Sequence, residues 1–137
     1  MAWNGGACGG FNKGHEPWQS LHTDYEKINA EKDLAAEKSV YRFYQKLLAV
    51  KKTNPAAIGG RVEEYDHENK AIVAYSREGE GNRLFVLGNF SKRPMKYTLP
   101  GWTKYAETLL DNYGGFSAAA GTVTLKPYQA VVLEVKN

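Results

Sequence analysis

The feature that most limits the fold of this chain is a change in hydrophobic spacing at Gly60. From there onward, apolar and polar residues alternate over short segments separated by Gly, Pro, Asn and Asp. A period of two is typical of β-strands, and regularly spaced strands without intervening helices indicate an antiparallel sandwich or barrel. The predicted strands are 61–65, 71–76, 83–90, 95–99, 105–110, 122–126 and 130–135. The C-terminal part is therefore predicted to be a small all-β domain.

One amphipathic helix is predicted before the strands. Its N-cap is Ser39, or it begins earlier near Asp33, and Asn54-Pro55 ends it because the residue before proline avoids the helical region. Apolar residues at helical spacing form one face of this helix, namely Val40, Phe43, Leu47 and Leu48. Burial of each such side chain contributes about 1.5–3 kcal/mol. We therefore expect this face to pack on the β domain or, by self-association, on a second copy of the chain.

Composition excludes several classes of protein. Lys and Arg number 18 and Asp and Glu 15, so the net charge is +3 and bulk charge does not indicate a nucleic-acid binder. No apolar run approaches the roughly 20 residues that span a bilayer, so no membrane contact is expected. No secretory signal is visible, and the single cysteine, Cys8, favours a reducing compartment, the cytoplasm. A complete (β/α)₈ barrel needs about 250 residues, which this chain does not have.

The glycine-rich loop at 1–30 contains no complete catalytic or metal site. Cys8, His15 and His22 are seven residues apart, whereas metal sites favour short chelating pairs. Ser20, His22 and Asp24 are the residue types of a nucleophilic triad, but triad members normally come from separate elements.

A crowded set of carboxylates on the first predicted strand and the turn after it indicates a solvated sheet edge. These are Glu63, Glu64, Asp66 and Glu68. We expect no metal and no cofactor.

A series of short motifs follows a recognisable order along the chain. They are Met1-Ala2-Trp3-Asn4, Gly10-Phe11, Pro17-Trp18, Asp24-Tyr25-Glu26-Lys27-Ile28-Asn29, and the segments 39–48, 86–91 and 125–130. This order resembles the C-terminal part of the α-amylase superfamily, glycoside hydrolase family 13. Within that family it is similar to the oligo-1,6-glucosidase, dextran glucosidase and α-glucosidase branch. Two departures are Ala2, where the family usually has Gln, and the segment 19–23.

The resemblance implies a fold and a division of the chain. Residues 1–57 would be the loop and helix that end a TIM barrel, and residues 58–137 an antiparallel Greek-key β-sandwich that follows the barrel. The fold class implied is therefore mainly β, with a loop and one amphipathic helix in front. The upstream barrel domain would be the partner of this chain.

The resemblance also implies an activity for the parent enzyme. The parent would hydrolyse short α-1,6- or α-1,4-linked gluco-oligosaccharides by a retaining mechanism that uses two carboxylates. Those carboxylates lie on barrel strands upstream of Met1, so no catalytic residue is expected here and this part alone would be inactive and structural. Loops at this face of a barrel line the active site. The substrate-loop candidates are Trp3, Asn4, Phe11 and Trp18. Packing of Trp3 and Trp18 against the barrel is an equal alternative.

Two other functions are open. A free-standing carbohydrate-binding β-sandwich would need a row of exposed aromatic side chains on one sheet face. The candidates for that row are Tyr97, Trp102, Tyr105, Tyr113 and Phe116. The third possibility is an interaction domain that contacts no sugar.

Overall fold

The computed structural model of this chain describes residues 1–117 and 121–136, and for Tyr105 and Lys136 it describes the backbone alone. The chain divides into two compact units, Met1–Lys46 and Leu47–Asn137. The first unit contains a long loop, a short helix and the beginning of a longer helix. The second contains the end of that longer helix, another short helix and the strands.

Three α-helices precede the strands in the described part of the chain, where the sequence predicted one. Helix α1 covers Ala30–Ala35, α2 covers Val40–Thr53 and α3 covers Pro55–Gly59. Helix α2 is the predicted one, and Ser39 caps it through its Oγ, which accepts a backbone hydrogen bond at 3.1 Å. The other two are short, so they offer too few turns for a helical period to appear in the sequence.

Asparagine side chains cap both short helices. The Oδ1 of Asn29 accepts a hydrogen bond from the backbone N–H of Lys32 at 3.0 Å, at the start of α1. The Oδ1 of Asn54 accepts one from the backbone N–H of Ala57 at 3.2 Å, at the start of α3. Proline is well suited to the first position of a helix, where its missing N–H would have no partner. Asn54-Pro55 therefore ends α2, as predicted, and also begins α3.

The strands form an antiparallel β-sandwich, which confirms the predicted fold class. They are β1 (Arg61–Tyr65), β2 (Ile72–Gly79), β3 (Asn82–Asn89), β4 (Met95–Thr98), β5 (Glu107–Asp111), β6 (Thr122–Leu125) and β7 (Ala130–Lys136). One sheet has the order β1-β2-β3-β7-β5, and β4 pairs with β6 in the other. All of these pairs are antiparallel.

Turn chemistry explains where the strands end. The β2–β3 hairpin turns at Glu80 and Gly81, whose φ angles are 48° and 79°. Two successive positive φ angles are typical of the tight turns that match the twist of a hairpin. The predicted strand at 105–110 begins later than expected, because Gly101–Tyr105 forms a 3₁₀ turn before β5.

The hydrophobic core lies between the two sheets. Phe85 of β3 is completely buried, and its ring lies 5.5 Å from that of Tyr65, 6.2 Å from that of Tyr97 and 5.7 Å from that of Trp102, between ring centroids. The guanidinium of Arg83 stacks 4.0 Å above the ring of Trp102 and closes one edge of this cluster. Strand residues from both sheets complete the core, namely Ile72, Ala74, Leu87, Leu125, Val131 and Leu133.

The apolar face of α2 has less cover than expected. Val40 and Leu48 are exposed, Phe43 and Leu47 are half-buried, and no residue of this helix is fully buried. The predicted burial of the whole face is therefore not found. Part of the end of α2 is covered, since Val50 packs with the buried residues of α3. Self-association through this face stays a prediction.

Candidate functional site

Asn4 closes a tight turn at the start of the chain. Its Oδ1 accepts a hydrogen bond from the backbone N–H of Gly6 at 3.0 Å, and the N–H of Trp3 donates to the carbonyl of Gly9 at 2.8 Å. Gly10 has a φ of 78°, and a Cβ at this position would lie 2.8 Å from the Asn4 side chain. The chain therefore needs glycine at this position. The Asn4 side chain stabilises the turn through its hydrogen bond to Gly6.

Trp3 lies beside an apolar groove in the first unit. The backbone carbonyls of Ala2 and Trp3 accept hydrogen bonds from Ala30 and Glu31 at 2.9 Å each, which fixes the first residues beside the start of α1. The groove is lined mainly by apolar side chains, among them Trp3, Ile28, Leu34, Val40 and Tyr44. Such a surface can accept apolar side chains, and the charged residues at it are Lys27, Lys32 and Asp33.

Trp18 stands at a second depression in the same unit. Its side chain is 97% exposed, the most exposed of the large apolar side chains in the described part of the chain. Leu21 and Tyr25 line the same depression, together with the carboxylate-bearing Glu16. A free indole ring beside polar groups can stack on the flat face of a sugar ring. Tyr25 belongs to the motif 24–29, but the sequence does not predict it as a site residue.

The four predicted loop residues do not converge on one point. Trp3 lines the apolar groove and Trp18 the second depression. Asn4 supports the first turn, and Phe11 is exposed in the loop between them. These four residues therefore do not form a single binding site in this chain.

The other loop residues form local backbone contacts. The Cys8 thiol donates to the carbonyl of His15 at 3.0 Å, and the Nδ1 of His22 accepts from the backbone N–H of Asp24 at 3.2 Å. Within residues 1–117 and 121–136, no group of three His, Cys, Asp or Glu side chains is placed to hold a metal ion. Across the same residues, no helix combines the length and apolar character needed to cross a bilayer.

Among the described side chains of the sandwich, the predicted aromatic residues do not form an exposed row on one sheet face. Tyr97 is buried in the core, and Trp102 and Phe116 pack against that core. Tyr113 is exposed, with its hydroxyl donating to the carbonyl of Pro127 at 2.8 Å. The side chain of Tyr105 lies outside the described part of the structure. Alternation predicts which residues share a face, but it does not say which face is turned to solvent.

Comparison with known proteins places the two parts of the chain in one family. The model of the family described as "Alpha amylase, catalytic domain" matches residues 1–60, and that of the "Alpha-amylase SusG C-terminal domain" matches residues 72–132. Over 98% of its own length, this chain is 38% identical to an α-glucosidase of Schizosaccharomyces pombe. It is 30% identical to an oligo-1,6-glucosidase of Bacillus cereus over 99% of its length.

Solved structures agree with these matches. The trehalulose synthase of Pseudomonas mesoacidophila superimposes on 98% of the chain with a TM-score of 0.88 and 34% identity. The chain spans about a quarter of each of these proteins, 24% of the α-glucosidase, 25% of the oligo-1,6-glucosidase and 24% of the synthase. The chain therefore belongs to the α-amylase superfamily, glycoside hydrolase family 13, and corresponds to the C-terminal part of its α-glucosidase and oligo-1,6-glucosidase branch.

Proposed function

We propose that this chain is the C-terminal quarter of an α-glucosidase that hydrolyses short α-1,6- or α-1,4-linked gluco-oligosaccharides. The observation that carries the proposal is the match to an α-glucosidase and an oligo-1,6-glucosidase across nearly the whole chain, at 38% and 30% identity. The reaction would proceed with retention, through a carboxylate nucleophile and a carboxyl acid/base. Both groups would come from the part of the enzyme that precedes this chain.

The role proposed for the chain itself is structural. Residues 1–57 would complete the barrel, and residues 58–137 would form the domain that follows it. The proposed boundary between these parts would lie inside α3, Pro55–Gly59. The apolar groove beside Trp3 supports this role, because it offers hydrophobic surface for the barrel to cover. The free thiol of Cys8 supports a reducing compartment, the cytoplasm, as the enzyme's location.

A chromogenic α-glucoside tests the activity directly. We expect the full-length enzyme to release the chromophore and this chain alone to release none. Turnover by the purified chain would contradict the proposal that catalysis lies upstream. A full-length enzyme that cleaves no α-glucoside, α-1,6 or α-1,4, would contradict the proposed activity.

Within the loop, we propose that Trp18 stacks on the substrate. In the full-length enzyme, Trp18→Ala should lower kcat/KM by about fivefold, mainly through KM, since one such stacking contact contributes about 1 kcal/mol. Trp18→Phe keeps a flat ring and should retain most of the activity. Tyr128→Ala, at an exposed aromatic position outside the loop, is the matched control. Equal kinetics for Trp18→Ala and the wild type would refute this role.

A further inference from the structure

The triplet Asn89-Phe90-Ser91 matches the N-x-Ser/Thr acceptor sequence of N-glycosylation, and no other triplet of this sequence does. Acceptor triplets that carry a glycan normally lie in surface loops of secreted proteins. This one begins at the last residue of β3. Its backbone is paired with neighbouring segments, because the N–H of Asn89 donates to the carbonyl of Gln129 and that of Phe90 to the carbonyl of Ala71, at 2.8 Å each. The triplet is therefore held in the sandwich.

The side-chain amide of Asn89 is fully used inside the protein. This residue is 2% exposed. Its Nδ2 donates to the carbonyl of Arg93 at 2.8 Å and to the carbonyl of Lys126 at 2.9 Å, which holds the β3–β4 and β6–β7 turns side by side. Its Oδ1 accepts a hydrogen bond from the backbone N–H of Ser91 at 2.9 Å. A primary amide has two N–H donors, and both are used here. The nitrogen that would accept a glycan is therefore already part of the fold.

Attachment of a glycan would remove one of these two donors. In the transfer, Nδ2 attacks the anomeric carbon of an oligosaccharide that is linked to a lipid diphosphate. A C–N bond forms, the C–O bond to the lipid diphosphate breaks, and one amide proton passes to a base of the transferase. The product keeps a single N–H, so the carbonyl of either Arg93 or Lys126 loses its partner. The sugar would also need space beside a side chain that the sandwich buries almost completely.

We propose that folding and N-glycosylation compete for the side chain of Asn89. The folded sandwich excludes the glycan, whereas the unfolded chain accepts it, and the modified side chain then prevents the two turns from joining. A glycan at this position would therefore mark molecules that have failed to fold. The inference does not depend on the proposed activity, because it concerns only contacts within the sandwich.

Secretory expression of the full-length enzyme tests this competition. The enzyme is directed into the secretory pathway of a host that N-glycosylates proteins, and tryptic peptides of the secreted fraction and of the retained, insoluble fraction are compared by mass spectrometry. We expect glycan at Asn89 in the retained fraction and its complete loss from the secreted fraction. Thr122→Asn is the matched control, since it creates an acceptor triplet at 122–124 that begins at an exposed residue of β6. That triplet should carry glycan in the secreted fraction.

Glycan at Asn89 in secreted enzyme that resists proteolysis would overturn the proposal. Its absence from Asn89 in both fractions, with the 122–124 triplet occupied in the control variant, would also overturn it, because the unfolded chain would then not be an acceptor.

A second variant tests the two hydrogen bonds without any glycan. Asn89→Asp cannot be glycosylated and lacks both donors, so without a secretion signal the full-length variant should unfold at a midpoint about 2 °C or more below the wild type. An unchanged midpoint would show that the fold does not need these donors and would contradict the proposal. Neither measurement uses substrate, so a failed α-glucoside assay would refute the proposed activity and leave this result separate.

Discussion

The two units of this chain are stabilised in different ways. In Leu47–Asn137, side chains from two sheets form a continuous buried core around Phe85. In Met1–Lys46, the fully buried residues are Ala2, Gly9 and Asn29, and the backbone is held mainly by turns and caps. Hydrophobic burial is the dominant favourable term in folding. We infer that the sandwich unfolds as a cooperative unit, whereas the loop unit opens locally at much lower free energy.

Removal of a core ring should give the largest effect. Phe85→Ala leaves a cavity at a completely buried position between three other rings, and we expect it to lower the free energy of unfolding by about 3–5 kcal/mol. The same substitution at the exposed Phe11 should change it by less than about 0.5 kcal/mol. Urea denaturation followed by tryptophan fluorescence measures both. A comparable loss at Phe11 would show that the loop unit has a core of its own.

Two buried asparagines allow a closer comparison of the units. Asn29 is 1% exposed, and its side chain donates to the carbonyl of Tyr25 and accepts from the N–H of Lys32. Asn89 is 2% exposed, and its side chain donates to the carbonyls of Arg93 and Lys126. Each substitution by Ala removes these hydrogen bonds from partly buried backbone groups, at a cost of about 1–3 kcal/mol.

The two losses should appear in different measurements. Asn89→Ala should lower the global free energy of unfolding, whereas Asn29→Ala should leave it unchanged and speed amide hydrogen exchange in α1. Asn29→Asp keeps the capping oxygen but loses the donor, so its exchange rates should lie between those of wild type and Asn29→Ala. A global destabilisation by Asn29→Ala would mean that the two units unfold together.

The smallest effect is expected at alkaline pH. Burial raises the pKa of the Tyr97 hydroxyl above its usual value, and the negative charges of Asp66 and Tyr65 act in the same direction. The folded state therefore favours the neutral phenol, and this contribution, present below about pH 10, is lost as pH rises through the folded pKa. Tyr97→Phe cannot ionise, so its stability should fall less steeply above about pH 10. Parallel pH profiles of urea stability for the two proteins would contradict this.

The sequence predicted the strands well because alternation is a local signal. The first strand was predicted at its observed bounds, Arg61–Tyr65, and the end of α2 was marked by Pro55. Helix α3 was missed because proline after asparagine was interpreted only as a stop, although the same pair can cap a new helix. The candidates for a binding surface include Tyr97, which belongs to the core, and Trp102, which packs against that core. Alternation does not specify which face of the Tyr97 strand is buried, and Trp102 lies in a 3₁₀ turn, where no strand period applies.

The candidate site was less predictable for a physical reason. A loop such as 1–30 has no period to interpret, and its side chains are positioned by turns such as the one that Asn4 closes. The resemblance indicates which aromatic residues are candidates, but it does not predict that Trp3 and Trp18 lie at two different depressions.

The hydrogen bond between Asn54 and Glu134 has a consequence for exchanging domains between family members. These residues are 80 positions apart in sequence, and their contact fixes the beginning of α3 to the last strand. A graft that begins the sandwich at residue 58 would cut α3, remove the hydrogen bond from Asn54 to Glu134 and uncover Leu84. Transplanting this domain intact would require the donor segment to begin before Asn54. Helix α3 and the last strand therefore act as one structural unit, and a chimeric enzyme should take both from the same parent.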